Sequence, residues 1–159
     1  MMRAQSCPLG VRMKLPGLMV AALALAWGAS AQAAWHVGAG PVDEIDGEGS
    51  WLATVAWLTP HEHPYEFIAG YIDGRDENIH TPDVLFLSAS KRFTWNGWFA
   101  QGGIAYAGVD NEVLSNHFQF QTGIGYDFGR ASLSLRHLSN ANTGGRNRGE
   151  TFLLFDYGF

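Results

Sequence analysis

The chain has 159 residues, enough for one domain, and its 10 Lys+Arg and 15 Asp+Glu give a formal net charge of -5. This acidic balance argues against a nucleic-acid partner. The single cysteine, Cys7, lies in an N-terminal segment that we expect to be removed, so disulfide bonds are not expected to stabilise the mature domain.

The N-terminal segment has the features of a secretory signal peptide. Basic residues Arg12 and Lys14 precede an apolar run that ends at Trp27, and the small-residue sequence ASAQAA follows. The pattern predicts a cleaved signal peptide over residues 1–33 and a mature domain over residues 34–159. The mature domain contains no apolar run near the roughly 20 residues that a membrane-spanning helix requires, which leaves a membrane β-barrel open.

The mature domain consists of short segments in which apolar and polar residues alternate. In the clearest of these, one face carries aromatic and aliphatic side chains and the other carries mostly glutamine and glycine. Alternation of this kind predicts β-strands with one apolar face. In chain order the predicted strands cover residues 35–42, 50–58, 65–72, 84–93, 98–108, 116–128, 131–139 and 151–159.

The connections between these strands alternate in length. Residues 94–97 and 128–130 form short turns, whereas longer polar connections are predicted at 41–49, 73–82, 109–115 and 140–150. Aromatic residues fall near the strand ends, and the last strand ends in Phe159. The pattern is typical of an all-β, eight-stranded antiparallel outer-membrane β-barrel. A periplasmic β-sandwich is the alternative, but it would have to bury the aromatic faces of all its strands and expose the small ones; a small barrel explains both faces.

A polar pair ends the seventh predicted strand. His137 and Ser139 are in phase with the leucines before them, so they share the face that we expect to contact lipid, whereas Arg136 faces the interior and is expected to pair with Asp127 or Asp156. An even number of strands returns both termini to the periplasmic side, so the pair is expected at the outer end. Polar groups that face hydrocarbon are costly unless they are satisfied or used.

These two residues have a spacing that suits nucleophilic catalysis. Positions two apart on a strand lie roughly 6 to 7 Å from each other, so the His137 imidazole can reach the Ser139 hydroxyl. A serine nucleophile needs a base, and the base needs an acceptor on its other ring nitrogen. Glu150, at the start of strand eight, is the candidate for that acceptor, and Asn140 with the backbone N–H groups of its loop is a candidate oxyanion donor.

The C-terminal segment RHLSNANTGGRNRGETFLLFDYGF resembles the signature of the lipid A 3-O-deacylase family (PagL). The matching positions are His137, Ser139, Asn140, Ala141, Asn147, Gly149 and Glu150. The resemblance implies an outer-membrane barrel and an esterase that removes the acyl chain at the 3-position of lipid A. It implies Ser139 as nucleophile, His137 as general base and Glu150 as the residue that orients it. Asn140 and Asn147 are implied to support the oxyanion.

Two features of this segment depart from the simplest pattern. Asn142 and Arg146 stand where the family commonly has Gly and Pro, although asparagine tolerates positive φ better than most residues. Glu150 is out of phase with Leu153 and Phe155 on a regular strand. Either a β-bulge re-aims Glu150, or Glu150 belongs to the loop.

The remaining polar groups allow alternatives. Arg146 and Arg148 either contact lipid A phosphates or belong to an ordinary charged loop. The sequence HEH at residues 61–63 is more typical of a solvated loop than of a metal site, and no metal or other cofactor is expected.

The expected partners are lipid A as substrate and the surrounding outer-membrane lipid. The rival functions are a non-enzymatic barrel for adhesion or envelope structure, and an acyltransferase or phospholipase on the same scaffold.

Overall fold

The structure, a computed structural model, describes residues 34–143 and 148–159. The predicted signal peptide, residues 1–33, lies outside the described residues, as do positions 144–147 of the last loop. The cleavage site therefore stays a prediction. Within the described ranges, no helix is long and apolar enough to cross a membrane.

Eight antiparallel strands form a closed barrel in which each strand pairs with its neighbours in sequence and the first strand pairs with the last. The predicted fold class is confirmed. The strands are β1 Ala34–Ile45, β2 Glu48–Leu58, β3 Tyr65–Ile72, β4 Val84–Trp95, β5 Trp98–Ala107, β6 Phe118–Asp127, β7 Ala131–Ser139 and β8 Glu150–Gly158.

The two faces of the barrel differ as the alternation predicts. The outward face exposes large apolar side chains on all eight strands, with Leu85 at 68% and Phe118 at 65% exposure as extreme examples. The inward face buries small, polar and aliphatic side chains, including Gln121 and Ser134. A continuous apolar exterior around a polar interior is the arrangement of barrels whose outer surface contacts lipid.

A buried ionic network fills the barrel interior near the end that carries the termini. The Glu66 carboxylate is fully buried and accepts hydrogen bonds from two guanidinium groups, those of Arg92 and Arg136. Arg136 also lies 3.3 Å from the Asp156 carboxylate, so its predicted inward direction and its predicted pairing with Asp156 are confirmed. Asp127 lies 3.7 Å from Arg92 instead.

The connection between β1 and β2 is much shorter than predicted. The sequence indicates a long polar loop over residues 41–49, but the strands continue to Ile45 and from Glu48, so this prediction is wrong. Asp46 and Gly47 form the turn, with φ of 53° and 86°. An Asp-Gly pair with positive φ at both positions is favoured in two-residue hairpins, because its twist matches that of the flanking strands.

A β-bulge interrupts the pairing of β1 with β2 between Val42 and Ile45. The bulge contains Asp43, whose carboxylate accepts a hydrogen bond of 3.2 Å from the Thr151 N–H at the start of β8. Bulges re-aim side chains next to the regular ladder. This one brings an acidic side chain to the part of β8 that adjoins the end of β7.

The HEH segment lies in the connection between β2 and β3. The His63 Nδ1 atom lies 3.1 Å from the Thr94 hydroxyl and 3.2 Å from the Thr94 backbone nitrogen. His61 is exposed. Within residues 34–143 and 148–159, no group of three or more His, Cys, Asp or Glu side chains is arranged to hold a metal ion. His63 thus joins this connection to the end of β4.

Candidate active site

His137 and Ser139 lie at the end of β7, on the outward face of the barrel. Both are half-buried. In the strand register, Ser139 is opposite Phe120 of β6, and His137 lies between Thr122 of β6 and Thr151 of β8. The outward direction predicted from the alternation is confirmed, and the pair lies at the barrel end that carries the long connections.

The His137 ring is held from the β8 side. Its Nδ1 atom lies 3.0 Å from the Thr151 hydroxyl oxygen. Its other edge faces Gly149, where an added Cβ would lie only 2.9 Å from Nε2. Gly149 is one residue beyond the last register pair, Leu138 with Glu150, and therefore lies at the level of Ser139. The Cε1–Nε2 edge of the imidazole thus faces Gly149, at the level of Ser139.

No hydrogen bond joins the Ser139 hydroxyl to His137 in the part of the chain that the structure describes. Catalytic hydrogen bonds are often long without substrate and shorten in the Michaelis complex. The two side chains share one face and one end of β7.

Gly149 lacks a side chain where the His137 ring needs space, and its φ of 74° is one that L side chains rarely adopt. The added Cβ would lie 2.5 Å from the Leu138 carbonyl oxygen and 2.7 Å from the imidazole. We therefore expect Gly149→Ala to displace the His137 ring, and to lower by about tenfold or more the kcat of any reaction in which this ring acts as a base. The measurement is kcat on purified, folded protein. Gly129→Ala is the control, because Gly129 also has positive φ but no atom lies within 4 Å of its added Cβ. Equal activity of the two variants would contradict the expectation.

Glu150 does not contact His137. It is the first residue of β8, its register with Leu138 is regular, and its carboxylate is 2% exposed inside the barrel. Neither alternative offered by the sequence holds, since no bulge interrupts the pairing of β7 with β8 and Glu150 is not a loop residue. Because successive side chains of a strand point to opposite faces, it is Thr151 that shares the face of His137.

The Glu150 carboxylate instead binds Arg75, which enters the barrel from the connection between β3 and β4. Two guanidinium nitrogens of Arg75 donate to the two carboxylate oxygens at 2.8 Å and 3.0 Å. The same guanidinium donates to the backbone carbonyls of Asp43 and Glu48. A bidentate buried pair of this kind is strongly oriented, so Arg75 fixes the start of β8 from the inside.

The loop after Ser139 is organised around Asn140. The Asn140 side chain is buried, its Oδ1 atom accepts a hydrogen bond of 2.9 Å from the Asn142 N–H, and its carbonyl accepts one of 3.0 Å from the Thr143 N–H. Ala141 and Asn142 have φ of 50° and 61°, so the predicted tolerance of asparagine for positive φ is confirmed at Asn142. Among the described residues, the Ala141 N–H has no hydrogen-bond partner.

Two of the remaining predicted site residues, Arg146 and Asn147, lie outside the described residues. Arg148 is exposed and lies 3.2 Å from the Asp46 carboxylate in the turn between β1 and β2. This pair joins the β7–β8 loop to the neighbouring hairpin. Exposed ion pairs are weak, so the guanidinium can exchange one anionic partner for another.

Sequence reasoning missed two residues that shape the site, Thr151 and Arg75. Thr151 carried no signal of its own, because its place opposite His137 depends on the register of two strands separated by a long loop. Gly149 was among the positions that match the family signature, although no role was predicted for it. No sequence signal identified Arg75, since it lies 75 positions from its partner Glu150 in the chain.

The fold and the outward polar pair define a class of protein: a small membrane β-barrel with groups suited to hydrolysis at one end of its lipid-facing surface. A comparison with protein families narrows the class. The family model described as lipid A 3-O-deacylase (PagL) matches residues 26–159, and the chain belongs to this family. The predicted resemblance is confirmed, and membership implies a hydrolase that deacylates lipid A in the outer membrane. Neither the curated proteins nor the solved structures contain a match to the chain.

Proposed function

We propose that the protein hydrolyses the ester bond at the 3-position of lipid A in the outer leaflet of the outer membrane, as a serine esterase. The observation that carries the proposal is the His137–Ser139 pair on the apolar exterior of a barrel that belongs to the lipid A 3-O-deacylase family. An acyl chain in the membrane can approach this surface laterally. The ester group at its end then lies near the polar boundary, where both residues and the loop donors are available.

The reaction follows from the groups present. The Ser139 oxygen attacks the ester carbonyl carbon while His137 Nε2 accepts the hydroxyl proton. The carbon–oxygen bond to the sugar then breaks, and His137 returns the proton to the departing sugar hydroxyl. Water attacks the acyl-enzyme with His137 again as base, which releases the fatty acid and restores Ser139. The Ala141 N–H and the loop around Asn140 are proposed to bind the oxyanion, with Asn147 in support.

Charged residues around the site have proposed roles outside the chemical steps. Arg148 can exchange its exposed contact with Asp46 for a lipid A phosphate, and Arg146 is proposed to share that role. Glu150 was expected to orient His137. Glu150 binds Arg75 instead, and this contact supports the site because it fixes the start of β8.

The proposal predicts a specific change in lipid A. Expression in a Gram-negative host whose lipid A keeps its 3-position acyl chain should give lipid A that lacks one hydroxyacyl group, detected by mass spectrometry and compared with cells carrying the empty vector. Unchanged lipid A, with barrel protein present in the outer membrane, would favour a non-enzymatic barrel. A gain of one acyl chain would indicate an acyltransferase, and release of fatty acid only from glycerophospholipid would indicate a phospholipase.

A further inference from the structure

Among the described residues, no carboxylate is hydrogen-bonded to His137, because Glu150 is turned inward and bound to Arg75. The group that meets its Nδ1 atom is the Thr151 hydroxyl, at 3.0 Å. The two residues are directly opposite each other in the register of β7 and β8, and both side chains lie on the outward face. We propose that Thr151 is the positioning residue for His137; this inference rests on the proposed esterase function.

The tautomer of His137 explains why this contact matters. A histidine that acts as a base through Nε2 must carry its proton on Nδ1, and a hydrogen-bond acceptor at Nδ1 favours that tautomer. The lone pairs of the Thr151 hydroxyl oxygen allow it to act as such an acceptor. Unlike a carboxylate, however, a hydroxyl can also donate, and it carries no charge to stabilise the imidazolium. Thr151 therefore orients the ring, but it fixes the tautomer less strongly than a carboxylate would.

Two contacts hold Thr151 in place, one from β1 and one from the barrel interior. Its backbone N–H donates to the Asp43 carboxylate at 3.2 Å, from the bulge in β1. The preceding residue, Glu150, is fixed by Arg75 from the interior. These contacts give Thr151 a defined position relative to β7.

The test compares four variants of the full-length mature barrel, refolded in detergent and assayed with purified lipid A dispersed in the same detergent. Thr151→Val removes the hydroxyl and keeps the shape, and Thr151→Ser keeps the hydroxyl. Thr122→Val is the matched control, because Thr122 flanks His137 from β6 on the same face. Glu150→Gln tests the carboxylate role expected from the sequence. Rates are normalised to the folded fraction, read from electrophoretic mobility without heating.

We expect Thr151→Val to lower kcat by about 10-fold to 100-fold with little change in KM, because misorientation of the base affects the chemical step. Thr151→Ser should retain most of the activity and Thr122→Val all of it. Wild-type kcat in Thr151→Val, or equal losses in Thr151→Val and Thr151→Ser, would overturn the proposal.

A second measurement separates this inference from the proposed function. Nitrogen NMR of histidine-labelled protein reports the tautomer of each imidazole, and a His137→Gln variant identifies the His137 signals. We expect Thr151→Val to reduce the Nδ1-protonated population of His137, and Thr122→Val to leave it unchanged. An unchanged tautomer in Thr151→Val would overturn the positioning role, whatever the activity. Absence of acyl release by the wild type would contradict the esterase function alone.

Discussion

Replacing Ser139 with alanine is expected to lower acyl release from lipid A by a factor on the order of 10³ or more. The substitution removes the only atom proposed to form a covalent bond with the acyl group, and the remaining His137 cannot replace it. The half-buried position at the end of β7 means that little packing is lost. The measurement is the rate of fatty-acid release by purified protein, together with the lipid A profile of expressing cells.

Ser132→Ala is the control for this experiment. Ser132 lies on the same strand, but its side chain is buried inside the barrel, and its hydroxyl has no hydrogen-bond partner in the structure. Its loss should leave the rate unchanged. Both variants should insert and show the mobility of a folded barrel. Substantial release by Ser139→Ala, with folding equal to that of the control, would exclude Ser139 as the nucleophile.

The architecture could be predicted from the sequence because each strand faces two different environments. Apolar residues at alternate positions define the outer face, and the short and long connections define the two ends. The turn at Asp46 and Gly47 was missed even though the pair is a recognised hairpin signal, because the polar residues around it also suit a long loop. Residue propensities alone do not determine where the paired strands β1 and β2 end.

At the site, the alternation along a strand predicts which face a side chain lies on, but not its partner on the next strand. His137 and Ser139 were correctly assigned to the outer face, since both lie on one uninterrupted strand. The partner of His137 depended on the register between two strands separated by a long loop. A difference of one residue in that register exchanges Glu150 for Thr151 and reverses the face of every side chain on β8. The contact of Arg75 with Glu150 depends on the path of a distant loop, which local patterns do not encode.

Glu66→Gln is expected to give the largest loss of stability among single substitutions in the barrel interior. Glu66 is fully buried and binds the guanidinium groups of Arg92 and Arg136, each of which is about 1% exposed. Without the carboxylate charge, Asp156 at 3.3 Å from Arg136 and Asp127 at 3.7 Å from Arg92 are the remaining acidic partners in the described network. Removing one member of a buried ionic network typically costs about 3 to 5 kcal/mol, because it leaves buried charge uncompensated.

The free energy of unfolding can be measured by urea titration of the barrel in lipid vesicles, followed by tryptophan fluorescence. Glu112→Gln is the matched control: it makes the same chemical change at an exposed residue of the connection between β5 and β6, and should alter the free energy by less than about 0.5 kcal/mol. Equal stability of the two variants would mean that the barrel interior admits enough water to solvate both arginines. The network would then fill space without determining stability. A large loss confined to Glu66→Gln would instead show that this one carboxylate holds β3, β4 and β7 together across the lumen.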